Sequence, residues 1–290
     1  MQKKQQALLG ILLVILIGLT AGWYWLSTQS ATSTTHHTQQ RVIVTTNAQA
    51  QIFNQLAIPL VGVPTPGDNQ TLPKRYAKLP QVGNHVAPNL ERIASLKPDM
   101  VYLDQALVSD YEQKLKSADV QTTALNFSDL DALRESIKTI GNSFNRQQQA
   151  RQLNATLNLK AIHPKHRPKV ALLMGMPGGS FLTGTKHSYV GDLINRAGGT
   201  VIGAGDGAYT TMNVEQIAAA QPDVIITMAH AMPKQVFQSF DELFAQPAWQ
   251  ALPAVKRHQV YQASEPTFGM TANLNAPAAF KQLKTWLQTN

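Results

Sequence analysis

NLERIASLKPDMVYLD (residues 89–104) and NVEQIAAAQPDVIITM (residues 213–228) say nearly the same thing twice, 124 residues apart. In each copy an Asn stands before a short helical pattern. Leu90, Ile93 and Ala94 in the first copy, and Val214, Ile217 and Ala218 in the second, recur at spacings of three and four, which is one buried stripe of a helix. Asn is a favoured N-cap, and Glu91 or Glu215 in the first turn suits the positive end of the helix dipole. Pro98-Asp99 and Pro222-Asp223 then stop the helix. The apolar runs that follow, MVYL and VIIT, have the character of parallel strands covered on both faces.

The same order surrounds both copies. RVIVTT, AQAQIFNQLA and PLVGV precede the first, and LVSDYEQKLKSA and QTTAL follow it. KVALLM, YVGDLINRAG and TVIGAG precede the second; PKQVFQSFDELF, HQVYQA and APAAFKQLKTWLQ follow it. Strands alternating with helices predict mainly parallel sheets with right-handed crossovers. The expected architecture is two similar α/β lobes, residues 41–127 and 166–290. Between them, Leu130, Leu133, Ile137, Ile140, Phe144 and Leu153 recur at near-helical spacing without a proline. Residues 128–165 are therefore expected to form one long, stiff helix joining the lobes. Ligands of open α/β sheets lie beyond the carboxyl ends of the strands, so the cleft between the lobes is where function is sought.

Composition narrows the function classes. The 290 residues carry 25 Lys and Arg against 17 Asp and Glu, a net charge of +8, with no dense basic run interleaved with aromatics. That argues against nucleic acid as a partner. The chain has no cysteine, which removes disulfides, thiolate metal sites, cysteine nucleophiles and a lipidated cysteine together. Lys3 and Lys4 precede ALLGILLVILIGLTAGWYW, an uncharged stretch long enough to span a bilayer, closed by Trp23, Tyr24 and Trp25 at the far interface. Residues 1–28 read as a membrane anchor or a signal peptide, the anchor being favoured because the stretch is long, closes with bulky aromatics and shows no clear small-residue cleavage site. Residues 29–40 are polar and read as a flexible linker, with His36 and His37 as solvated linker histidines. Everything beyond the anchor is expected on the extracytoplasmic face of the cell membrane.

No phosphate loop, zinc-protease or nucleophile-elbow motif is present. GMPGG (residues 175–179) lacks the lysine and hydroxyl of a phosphate loop and reads as a tight strand-to-helix turn. HPKH (residues 163–166) has ligand-like spacing but sits where the second lobe begins, and reads as a solvated turn. His230, in VIITMAHAMPKQV, stands just past the carboxyl end of a buried strand. His85, in VGNHVAPN, lies in the loop leading to the Asn89 helix of the other lobe. Each alone reads most simply as a loop histidine; together they would bracket a metal centre from both lobes. No catalytic constellation is present, so an enzyme is the weaker reading.

LPKRYAKLP, APNLERIASLKPD, HPKHRPKVALLMGMPGGSFL, KHSYVGDLINRAGG, HAMPKQV and PTFGMTANLNA carry a resemblance. From residue 41 to near the C-terminus the chain resembles the substrate-binding proteins of iron-complex and cobalamin importers, and among them the haem-binding receptors. The resemblance implies a class III periplasmic-binding-protein-like fold and haem as the transported ligand. It implies a Met from the first lobe and a His from the second as axial iron ligands. His230 matches the second; the first falls at Val86, which cannot bind iron. His85 stands beside it, leaving two expectations, bis-histidine ligation or five-coordinate iron on His230 alone. Backbone N–H groups at a helix start, matching Thr46 and Asn47, are implied as propionate donors. Arg75 and Tyr76 either assist or pack the loop, and Met176, Tyr209 and Met270 are either pocket walls or ordinary core.

The same resemblance gives Glu91 and Glu215 a role, docking onto the two halves of an ABC permease that works with its ATPase. The expected function is a monomeric, membrane-tethered receptor that takes haem from upstream haem-donating surface proteins. A ferric-siderophore receptor of the same fold is the alternative, and an exported enzyme the second.

Overall fold

A computed structural model describes residues 40–67, 70–84, 87–117 and 119–288. The expected anchor and linker lie outside the described residues. Among the described residues no helix is long and apolar enough to cross a membrane. From Gln40 onward the chain forms one compact unit.

The N-lobe is built from β1 (Val42–Val44), α1 (Asn47–Gln55), α2 (Leu90–Ser95), β2 (Met100–Asp104), α3 (Val108–Ser117) and β3 (Thr122–Leu125). Its sheet is parallel throughout, in the order β1-β2-β3, with Val42 opposite Met100 and Val101 opposite Thr122. Single parallel bridges from Ile43 to Gly62 and from Val63 to Gln81 extend it. Residues 130–156 carry two helices, α4 (Leu130–Ser143) and α5 (Gln147–Thr156). The C-lobe follows as β4 (Lys169–Gly175), β5 (Phe181–Gly184), α6 (Tyr189–Arg196), β6 (Thr200–Val201), β7 (Tyr209–Thr210), α7 (Val214–Ala220) and β8 (Val224–Ala229). It ends with α8 (Pro233–Phe244), α9 (Pro247–Gln250), α10 (Pro253–Lys256), β9 (Val260–Gln262) and α11 (Ala276–Leu287).

The doubled phrase has one structural meaning. Asn89 Oδ1 accepts the Arg92 N–H at 2.8 Å, and Asn213 Oδ1 accepts the Gln216 N–H at 2.8 Å. Ile93 and Ile217 are fully buried, each stabilising its lobe by about 2 kcal/mol. The aspartates then tie the repeat to the first strand of each lobe. Asp99 accepts the Arg41 N–H at 2.7 Å just before β1, and Asp223 accepts the Lys169 N–H at 2.9 Å where β4 starts. The same two residues supply a cation to the end of the repeat helix: Arg41 to the Leu96 and Lys97 carbonyls, Lys169 to the Ala220 carbonyl. Carbonyls at a helix C-terminus favour such partners.

Two expectations are corrected. The single helix across residues 128–165 is broken after Ser143. Asn145 takes φ +54°, its N–H reaches Asn142, and the Arg146 N–H reaches the Gly141 carbonyl at 2.7 Å. That is a Schellman stop, with Asn supplying the left-handed residue usually left to Gly. Helix α5 then folds back against α4 where Gly141 leaves room: a Cβ there would lie 2.5 Å from the Ala150 Cβ. The GMPGG stretch joins strand to strand, not strand to helix. Met176 N–H bonds to the Ser180 carbonyl, Gly178 and Gly179 take φ +95° and +85°, and β5 returns antiparallel to β4. With β7 antiparallel to β5, the C-lobe sheet is mixed, in the order β7-β5-β4-β8-β9, with β6 also on β4.

Helix α4 carries the core from one sheet to the other. Leu130, Leu133, Ile137 and Ile140 are fully buried in a cluster that includes Val42 and Tyr102 of the N-lobe and Val170 and Ile226 of the C-lobe. Polar ties cross with it. Arg196 on α6 pairs with Asp131 at 2.6 Å and Asp192 at 2.9 Å, and the Ala272 N–H reaches the Phe127 carbonyl at 2.8 Å.

Candidate functional site

His230 follows the last residue of β8, and its N–H donates to the Gly175 carbonyl at the end of β4 at 3.0 Å. The bond holds the loop at the carboxyl end of two neighbouring parallel strands. Strand β8 is there because VIITM, between Asp223 and Ala229, is β-branched and apolar and is buried along its length. The imidazole is exposed and makes no hydrogen bond among the described residues. An uncommitted imidazole at this end of a sheet is available as a ligand.

The loop continues through Met232, 55 % exposed and in the left-handed region at φ +48°, into Pro233 at the start of α8. Strained backbone in a bulky residue is expected where something other than packing holds it. Met232, Lys234, Phe237, Gln262 and Glu265 line an open depression of about 730 Å³. Gln70 Nε2 from the N-lobe donates to Glu265 Oε1 at 2.9 Å across this end of the molecule. Met232, Gln70 and Glu265 escaped sequence reasoning. A place only two positions after His230 was a signal for the first, whereas a pair 195 residues apart leaves none.

The N-lobe contribution begins at Thr46. It caps α1: its hydroxyl accepts the Gln49 N–H at 3.3 Å, and Gln49 Oε1 accepts the N–H groups of Thr45 and Thr46 at 2.9 and 3.1 Å. The Thr46 N–H is therefore occupied. The next two N–H groups, of Asn47 and Ala48, make no hydrogen bond among the described residues and are the donors at this helix start. Buried Asn47 Oδ1 and Gln49 Nε2 also have no protein partner there.

The other expected site residues scatter. Arg75 is exposed, with its guanidinium 6.0 Å from the Tyr76 ring centre. Tyr76 is buried, donates its hydroxyl to the Ile58 carbonyl, and has its pKa pushed up to about 12 by burial, against a smaller opposing pull from Arg75. Met176 is half-buried at the β4–β5 turn. Tyr209 is half-buried on edge strand β7, its pKa raised to about 12 by burial. Met270 packs against the main core. Glu91 and Glu215 are exposed in the first turns of α2 and α7, outside any salt bridge among the described residues. His163 and His166 are exposed. His85 and Val86 lie outside the described residues; Asn84 and Ala87, on either side, are joined by the Ala87 N–H to Asn84 Oδ1 at 3.0 Å. No cluster of three or more metal-ligating side chains occurs among the described residues.

Twin α/β lobes on a shared core, with an open depression at the sheets' carboxyl ends, define a bilobed binding fold. The chain belongs to the periplasmic binding protein family, whose model matches residues 42–267. It is 35% identical over 284 residues to the high-affinity haem uptake system protein IsdE of Staphylococcus aureus, covering 95% of each chain. The crystal structure of S. aureus IsdE complexed with haem superposes with a TM-score of 0.79 at 35% identity, over 86% of this chain and 99% of that one. An ABC transporter substrate-binding protein from Listeria monocytogenes EGD-e gives 0.79 at 38% identity, over 87% and 100%.

Proposed function

We propose that this chain is an extracytoplasmic haem receptor that delivers its cargo to an ABC-type permease for iron acquisition. One observation supports this most directly: the exposed, unbonded imidazole of His230 at the carboxyl end of β8, in a chain 35% identical to a haem uptake protein along 95% of its length. A neutral imidazole is a strong iron ligand. His230 supplies the C-lobe bond to iron; His85 either completes the pair or leaves the iron five-coordinate, because Val86 has no donor atom. The Asn47 and Ala48 N–H groups at the start of α1 receive a propionate, with the helix dipole adding to the attraction. Met176, Tyr209 and Met270 contribute apolar surface where the macrocycle reaches them, and Arg75 stands at the rim. The chain performs no covalent chemistry. Its N-terminal apolar segment holds it at the membrane, within reach of haem-donating surface proteins.

Mixing residues 40–290 with haemin should give a Soret band that saturates at one haem per chain. His230→Ala should remove most of that absorbance; an unchanged spectrum would refute the ligation. His85→Ala distinguishes the two coordination states, since only a six-coordinate bis-histidine spectrum would change with it.

A further inference from the structure

The starting ends of the C-lobe strands form an edge of uncompensated positive charge, away from the site just described. Strands β6, β4, β8 and β9 run parallel, so the segments leading into them lie side by side. Lys165, Arg167 and Lys169 come before and at β4, Asp223 before β8, and Lys256, Arg257 and His258 before β9; the lysines and arginines among them are all exposed. Neighbouring strands stand ~4.8 Å apart, so the charges before β4, β8 and β9 span roughly 10 Å.

Asp223 is the one carboxylate in these leading segments, and it is already committed. It accepts the Lys169 N–H and pairs with Arg257 at 3.6 Å. Backbone carbonyls pin the other charges without cancelling them. Arg167 donates to Gly199 and Asn195 at 3.2 and 3.3 Å, and the Lys169 ammonium donates to Ala220 at 3.2 Å. On the neighbouring helices, Asp192 and Asp131 are paired with Arg196 and Arg134, while Asp241 and Glu242 in the last turn of α8 are exposed and outside any salt bridge among the described residues. Lys165, Arg167, Lys169 and Lys256 therefore face solvent outside any salt bridge among the described residues, with Arg257 paired to Asp223 beside them.

We propose that this edge rests on the anionic headgroups of a lipid bilayer. The charges are spread along separate strand starts and do not converge on one point, which suits a surface of mobile anions better than a single bound phosphate. A membrane is also close at hand, resting here on the anchoring read above: the polar residues 29–40 that follow the apolar segment reach at most ~43 Å. Strand β8 runs from this edge to His230 over six residues, roughly 20 Å. With the edge on the lipid, the His230 loop stands at the end of β8 farther from the membrane, the pose for taking up cargo before the tethered receptor turns to its permease.

The test uses haem-free residues 40–290, which lack the apolar segment, so anchoring and haem binding do not enter the readout. Flotation with phosphatidylcholine vesicles containing 30% phosphatidylglycerol should carry the protein, and pure phosphatidylcholine vesicles should not. Binding should fall steeply between 50 and 300 mM salt. The double variant Lys165→Glu/Lys256→Glu removes two exposed side chains with no structural bond, and should weaken vesicle binding by about tenfold or more with the haemin titration unchanged. Lys78→Glu/Lys138→Glu, placed elsewhere, should weaken it far less. Equal loss in both variants would overturn the proposal in favour of net charge alone, as would absent binding to the anionic vesicles. Capture by soluble polyphosphate in preference to those vesicles would overturn the lipid as partner.

Discussion

Asp99 and Asp223 hold the same place in the two lobes, and their side chains do the same work on the strand beside them. The repeated Pro-Asp was legible in the sequence as a helix stop; the bond from the carboxylate to the neighbouring strand was not, because its partner lies 58 residues away in one lobe and 54 in the other. Removing either carboxylate should cost about 1–2 kcal/mol, since the bond is charge-assisted but partly solvated. Urea unfolding of Asp99→Ala and Asp223→Ala should show it, and the Asn variants, which keep an acceptor oxygen, should recover most of the loss. Tyrosines make the molecule sensitive to alkali. Burial raises Tyr76 and Tyr209 from the usual 10 to about 12, so the folded chain keeps these protons where the unfolded chain releases them. Their contribution is intact below pH 10 and is lost as pH rises through 12. Urea midpoints should therefore fall as pH rises from 10 to 12, and Tyr76→Phe with Tyr209→Phe should make that slope shallower, the rest coming from Tyr102 and Tyr189, which burial also raises.

At the scale of elements, the helical and parallel-strand units with a clear period were readable, and the ones that turn back were not. The α4–α5 break carries no Pro or Gly at its pivot. Its signal is the second Asn in NSFNRQQQ, Asn145, and Asn in a polar helical stretch is ordinary until its φ is known. Strands β5 and β7 were missed because FLTG and YT are too short to show a period of two, and the glycine pair before β5 fits either kind of turn. Two changes probe the break. Asn145→Val puts a β-branched residue in the left-handed region and should destabilise by about 1–2 kcal/mol, whereas Asn145→Gly should be neutral or slightly stabilising. Gly141→Leu drives a side chain into Ala150 and should cost about 1–3 kcal/mol. Thermal melts compared with the parent chain would read all three.

Across the whole molecule, stiffness comes from a source other than the expected one. A single rod does not join the lobes; one core passes through α4 into both sheets, and the Arg196 ion pairs and the Gln70–Glu265 bond tie the halves further. A receptor built this way changes shape little on loading, so a permease would have to recognise a fixed surface. Glu91 and Glu215 suit that role: each is exposed in the first turn of a repeat helix, each helix is set by the same Asn cap and Asp tie, and neither carboxylate is in a salt bridge among the described residues. Their sequence offset was readable, while their equivalence in three dimensions needed the ties of Arg41 and Lys169. If both carboxylates dock at once, each single reversal should leave partial uptake, and Glu91→Lys with Glu215→Lys should abolish it. The two sites share one compact unit, so losing one contact also removes the effective concentration that helps the other. Haemin titration of the double variant should match the parent, because both carboxylates are exposed and neither belongs to the His230 loop. Uptake by whole cells with haem as sole iron source measures the first outcome, and the Soret titration the second. A double variant that still imports haem at the parental rate would end the docking role.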